Sequence, residues 1–67
     1  VCNCNCDQAN FYGASLRNAD LSSSTFRSAN LTGADLRNAN LSNSNFTEAN
    51  LAGANLAGAN TTGAVGL

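Results

Sequence analysis

The 67-residue sequence predicts an all-β solenoid, on three observations. From Ala9 onward a large apolar residue recurs at every fifth position without a break: Phe11, Leu16, Leu21, Phe26, Leu31, Leu36, Leu41, Phe46, Leu51 and Leu56. Two places before each sits a small residue, Ala or Ser, from Ala9 to Ala59. A period of five is neither that of an amphipathic helix nor that of a straight strand. The third observation is a longer period. When residues 9–28 are slid along the chain, a shift of twenty gives 12 identities, against 4 to 6 for shifts of five, ten, fifteen and twenty-five. Units this short cannot bury an apolar face alone and must coil and stack.

Taken in order, Val1 to Gln8 is an irregular, Cys-rich end entering the first coil. Counting back in fives places Cys6 at a central position and Cys4 at a small one, where both face inward as small hydrophobes. Cys2 falls on an outward position and is the candidate for an intermolecular disulfide. The repeat body runs over 9–63. Thr61 breaks the apolar series, and 64–67 is a remnant.

Shift twenty also pairs Arg17-Asn18 with Arg37-Asn38 and Ser24-x-Phe26 with Ser44-x-Phe46. Four fives per coil therefore stack residues twenty apart, and the chain makes about three coils. The inward stacks are Cys6/Phe26/Phe46, Phe11/Leu31/Leu51, Leu16/Leu36/Leu56 and Leu21/Leu41/Thr61. The ten central Phe and Leu residues form the structural core. Ser24 and Ser44 precede the two stacked Phe residues, which reads as a packing adjustment on one face. The columns Asn10/Asn30/Asn50 and Asn40/Asn60 predict amide ladders along the stack.

Units of the form Ala-(Asn/Asp)-Leu-x-x, such as Ala34-Asp35-Leu36 and Ala49-Asn50-Leu51, resemble the pentapeptide repeat family over Cys4 to Gly63. The resemblance implies a right-handed quadrilateral β-helix with four pentapeptides per coil. Cys4, Cys6, Thr61 and the collapsed last unit depart from the motif. Some members mimic DNA and inhibit DNA gyrase, and cyanobacterial members include periplasmic and thylakoid-lumen proteins. By resemblance the chain leans to the periplasm, the thylakoid lumen or the extracellular space.

Composition excludes several classes. Charge is sparse, three Arg against four acidic residues for a formal net of −1, so neither a nucleic-acid footprint nor a strongly acidic surface is expected. No apolar run reaches membrane-span length, and no signal-peptide pattern is visible. The chain does not begin with Met, and the expectation is a mature product or an excised segment. Without His or Lys, a hydroxyl nucleophile lacks its usual activating base. The three thiols lack paired zinc spacing, and Gly53 and Gly58 recur without the Lys of a phosphate loop. No catalytic, cofactor-binding or metal-ligating residue is assigned. The sequons at Asn30, Asn40, Asn45 and Asn60 are by-products of the repeat. Arg17, Asp35 and Arg37 share one outer face, and Asp7 lies below Arg27 on another.

Three coils would be about 15 Å tall at strand spacing, with no capping helix or charged terminal coil. The expected function is therefore a non-enzymatic structural or protein-interaction module acting through open coil ends and flat outer faces. Its expected partner is a protein or a second copy, self-stacked into a larger assembly. The alternatives are a DNA-mimicking inhibitor of an enzyme such as gyrase and an ice-binding solenoid. The ice-binding reading is disfavoured because the outward columns mix Ser, Thr, Arg and Asn.

Overall fold

The computed structural model describes residues 3–67. It is a β-helix in which every side pairs through a single residue. Parallel bridges link Asn5 to Thr25, Asn10 to Asn30, Ser15 to Asp35 and Asp20 to Asn40, and the same series continues to the pair Asn45 and Val65. Every bridge spans twenty residues, so four pentapeptides complete one circuit. The bridges reach into the Cys-rich start and into the final remnant.

Each unit turns a corner after its central residue. The N–H of the next small residue donates to the central carbonyl, as in Ala14 to Phe11 (2.9 Å) and Ala34 to Leu31 (3.0 Å). The second residue after each centre has a positive φ: Asn18 62°, Gly33 68°, Glu48 61°. Its predecessor does not, the signature of a type II turn. Among the described residues, eight non-glycine residues hold this left-handed conformation, each against a steric cost that Gly avoids.

The motif follows from complete use of its N–H groups. In the unit Asn30 to Ala34, Asn30 donates to Ala9 below (2.9 Å), while Leu31 and Gly33 donate to Asn50 (2.8 Å) and Ala52 (2.9 Å) above. Ala34 closes the turn. The fifth N–H, that of Thr32, has no neighbouring coil to reach and donates to the Asn30 side-chain Oδ1 at 3.1 Å. All ten Asn or Asp residues at bridging positions accept this bond from the residue two further on. The predicted amide ladders are therefore corrected. Each Asn Oδ1 at a bridging position caps its own coil, because a backbone donor two residues away would otherwise be orphaned, and that of Asn5 also accepts from Thr25 Oγ1 of the next coil at 3.2 Å.

Inside, Phe26, Leu31, Leu36, Leu41 and Phe46 are fully buried with Ala29, Ala34 and Ala39. Phe11, Leu16, Leu21, Leu51 and Leu56 point into the same core and are partly buried against it. Phe26 and Phe46 stack with centroids 4.8 Å apart and planes 2° from parallel, and Phe11 meets Phe26 at 59°. Ser44 Oγ donates to the Leu21 carbonyl at 2.7 Å, and Ser24 Oγ accepts from the Cys4 N–H at 3.2 Å. Both hydroxyls are thus spent inside the wall. At the upper end, Gly66 passes so close over Phe46 that a Cβ would lie 2.6 Å from its carbonyl carbon.

One further expectation changes. Cys4 is not a free inward thiol: it is disulfide-bonded and only half-buried. Cys6 remains free, half-buried below Phe26 in the core cluster. Cys2, the predicted disulfide residue, lies outside the described residues. Ser22 is 8% exposed, its hydroxyl turned back to Asp20 Oδ1 at 2.8 Å.

Candidate interaction surfaces

Among the described residues there is no concave pocket, no cluster able to hold a metal and no helix long and apolar enough to cross a membrane. The surfaces on offer are four outer faces and two coil ends.

The three Arg residues of the outer faces all lie against Asp7 or Asp35. Arg27 clamps Asp7 of the coil below, with Nε at 3.1 Å, a terminal nitrogen at 2.7 Å and its own backbone N–H at 2.9 Å. This bond replaces the turn cap missing at Thr25, whose side chain cannot supply a carboxamide or carboxylate. The Arg27 side chain and N–H hold the Asp7 carboxyl below its usual range. On another face Arg37 grips Asp35 through Nε (2.9 Å) and a terminal nitrogen (2.7 Å), with Arg17 Nε 3.9 Å away. These contacts, the Arg37 hydrogen bonds above all, lower the Asp35 carboxyl to about 2. Both ion pairs are exposed enough that their net contribution to stability is small. Tyr12, 71% exposed, is the single large aromatic on an outer face among the described residues.

The coil ends differ in kind. At the upper end the N–H groups of Leu51, Gly53, Leu56, Gly58, Thr61 and Gly63 have no partner among the described residues, nor do the carbonyls of Ala49, Ala54 and Ala59. At the lower end the carbonyls of Asn5, Asp7, Asn10, Tyr12, Ser15 and Arg17 and the N–H groups of Asn5, Asn10 and Ser15 are likewise unpaired. In the coils between, the equivalent groups form the inter-coil ladder. Val65 and Leu67 add half-exposed apolar surface at the upper end, 51% and 52%. The periodicity located the ends. It did not reveal the turn caps, although the Asn or Asp before every central Leu except Leu16 was their visible signal.

Comparison with known proteins agrees with this geometry. A family model described as pentapeptide repeats, in eight copies, matches residues 4–43, and a second, in nine copies, matches residues 26–67. A comparison with curated proteins gave no match. Among solved structures, the chain is similar to a pentapeptide repeat protein of Nostoc PCC 7120, at 32% identity and TM-score 0.69 over 90% of this chain and 62% of that one. It is similar to HetL of Nostoc sp. strain PCC 7120, a pentapeptide repeat protein involved in heterocyst differentiation regulation, at 30% identity and TM-score 0.65. That match covers 91% of this chain and 31% of HetL. A pentapeptide repeat protein of the Arabidopsis thaliana thylakoid lumen follows at 27% identity and TM-score 0.66, over 94% and 54%. The chain spans less than two thirds of each of these proteins.

Proposed function

The chain belongs to the pentapeptide repeat family, and on that premise we propose that it is a non-enzymatic structural module that binds protein through its coil ends. In this reading it is a right-handed quadrilateral β-helix of about three coils. The repeat body at 9–63 does the work, with the Cys-rich start at 1–8 and the remnant at 64–67 as its margins. The ten central Phe and Leu residues are scaffold.

One observation carries the proposal: each end presents a row of backbone donors and acceptors already held in pairing geometry. Such an edge is a template for a further strand. The outer faces are secondary surfaces, because all three Arg residues are tied to Asp7 or Asp35. A DNA mimic needs a free acidic stripe, and Asp7 and Asp35 are tied to Arg27 and Arg37. Ice binding needs outward hydroxyl rows, and Ser22 and Thr32 donate theirs to Asp20 and Asn30. The Cys4 disulfide fits an oxidising compartment, in line with a periplasmic, lumenal or extracellular protein.

Sedimentation velocity across a concentration series tests the reading. Growth in sedimentation coefficient with concentration is the expected result. A monomer at every concentration removes end-on binding to itself and turns the search to the outer faces.

A further inference from the structure

We infer that the backbone N–H and guanidinium of Arg17 form a carboxylate-binding site on an outer face of the solenoid. The turn caps locate it. Of the bridging residues from Asn5 to Asn60, ten are Asn or Asp and accept the N–H two residues further on. The exceptions are Ser15 and Thr25, and each is followed two places later by Arg, in Ser15-Leu16-Arg17 and Thr25-Phe26-Arg27. At Thr25 the structure shows what takes the place of a cap. Asp7 Oδ1 accepts the Arg27 backbone N–H at 2.9 Å, while Oδ2 accepts from Nε at 3.1 Å and from a terminal nitrogen at 2.7 Å. One carboxylate thus serves the orphaned N–H and the guanidinium together, in charge-assisted bonds.

Arg17 offers the same donors without that partner. Among the described residues its backbone N–H donates to nothing, and the Ser15 hydroxyl does not accept it. Its guanidinium is 51% exposed and meets Asp35 only as an ion pair, Nε to Oδ2 at 3.9 Å. Asp35 does not do for Arg17 what Asp7 does for Arg27, because its own oxygens are taken. Oδ1 accepts the N–H and Nε of Arg37, and Oδ2 accepts a terminal nitrogen of Arg37 at 2.7 Å.

The site opens sideways. In the ten capped units this N–H is met by a side chain of its own coil, and Asp7 reaches Arg27 over the outside of the wall. Approach is therefore from the face and does not involve the coil ends. The ligand class follows from the Asp7 pattern: a planar anion with one oxygen for the backbone and one for the guanidinium. The Asp7 carboxyl is held below its usual range by the Arg27 side chain first and the Arg27 N–H next, so the ionised form is the one gripped. Two sources offer such a group, a free carboxylate anion and an acidic side chain of a second copy. Glu48 is suited to the second role, because it is exposed and its carboxylate has no partner among the described residues.

Amide NMR spectra of the chain test the site, with sodium acetate titrated against sodium chloride at equal ionic strength. The Arg17 amide proton is expected to move downfield and to saturate, while the Arg27 amide, bonded to Asp7, stays in place. Ser15→Asn supplies the neutral cap of the other units and is expected to abolish the Arg17 response without loss of fold or of Tm. Asp7→Ala exposes the equivalent donors at Arg27, whose amide should then respond to acetate as well. A protein dilution series without acetate separates the sources. An Arg17 shift that grows with protein concentration and vanishes in Glu48→Gln assigns the second copy, and a response to acetate alone assigns a free anion. An Arg17 amide that ignores acetate, a response that persists in Ser15→Asn, or an Arg27 amide still unmoved in Asp7→Ala overturns the inference. None of these outcomes touches the coil-end reading, which stands or falls by sedimentation.

Discussion

The coil at residues 25–44 and the coils on either side of it are written in the same motif yet live in different surroundings. In the central one Phe26, Leu31, Leu36 and Leu41 are 0% exposed, roofed above and floored below. Their counterparts Phe11, Leu16, Leu21, Leu51 and Leu56 are only partly buried. The motif sets direction, and the neighbours set burial. Phe46 shows this most directly. It belongs to the upper coil, but the strand at Val65 and Gly66 lies across it, and it too is 0% exposed. One added strand converts a half-covered residue into a core residue.

The largest break in this comparison comes from truncating the same residue type at different heights. Leu36→Ala should cost about 2–5 kcal/mol, with Leu16→Ala and Leu56→Ala costing roughly half or less. Denaturant midpoints of the three variants check this, and equal costs would mean that the terminal coils are as closed as the middle.

Turn caps come next. Asn40→Ala leaves the N–H of Ser42 without its acceptor in a half-buried wall, a loss of about 1 kcal/mol. Asn60→Ala, at an exposed turn, should lose less. The converse is Ser15→Asp, which supplies a cap that the lower coil lacks and should gain about 0.5 kcal/mol. Thermal unfolding of the three reads the order.

Glu48→Gly relieves a left-handed non-glycine residue, φ 61°. Relief of strain exceeds the added unfolded-state entropy by about 0.5 kcal/mol, so Tm should rise slightly. A fall in Tm would mean that the Glu48 side chain makes a contribution beyond its backbone.

The smallest effect is that of pH. Asp35 titrates at about 2 when folded against 3.8 in the free side chain, chiefly through the Arg37 hydrogen bonds. Asp7 is lowered in the same direction by Arg27. A lowered carboxyl stabilises the fold fully above its unfolded value and ceases to as the pH falls through its folded one. Tm should therefore drop between about pH 4 and pH 2, and Arg37→Gln should flatten that drop.

Much of the architecture was legible because it is periodic. The five-residue spacing of Leu and Phe holds the fully buried Phe26, Leu31, Leu36, Leu41 and Phe46, and the shift of twenty gave the stacking partners of Leu36 as Leu16 and Leu56. The shared face of Arg17, Asp35 and Arg37 followed from the same count. What escaped were choices between two satisfactory bonds. A column of Asn offers either a ladder between coils or a cap within one, and only the tally of backbone donors decides for the cap. The state of Cys4 has no periodic signature at all.

The cap at every bridging Asn or Asp gives the chain a reading frame of its own. Because a unit with Asn or Asp at its bridging position settles its own fifth N–H locally, such a unit can be deleted or duplicated without disturbing the bonding of the next. A gain or loss of twenty residues would leave every later side chain on its original face. A gain or loss of five would keep the ladder and the core intact while moving everything downstream to the adjacent face. Lengths that are not multiples of five would break the frame, turning Leu and Phe outward. Evolution of such a chain can therefore re-aim its surface in discrete steps without remaking its interior.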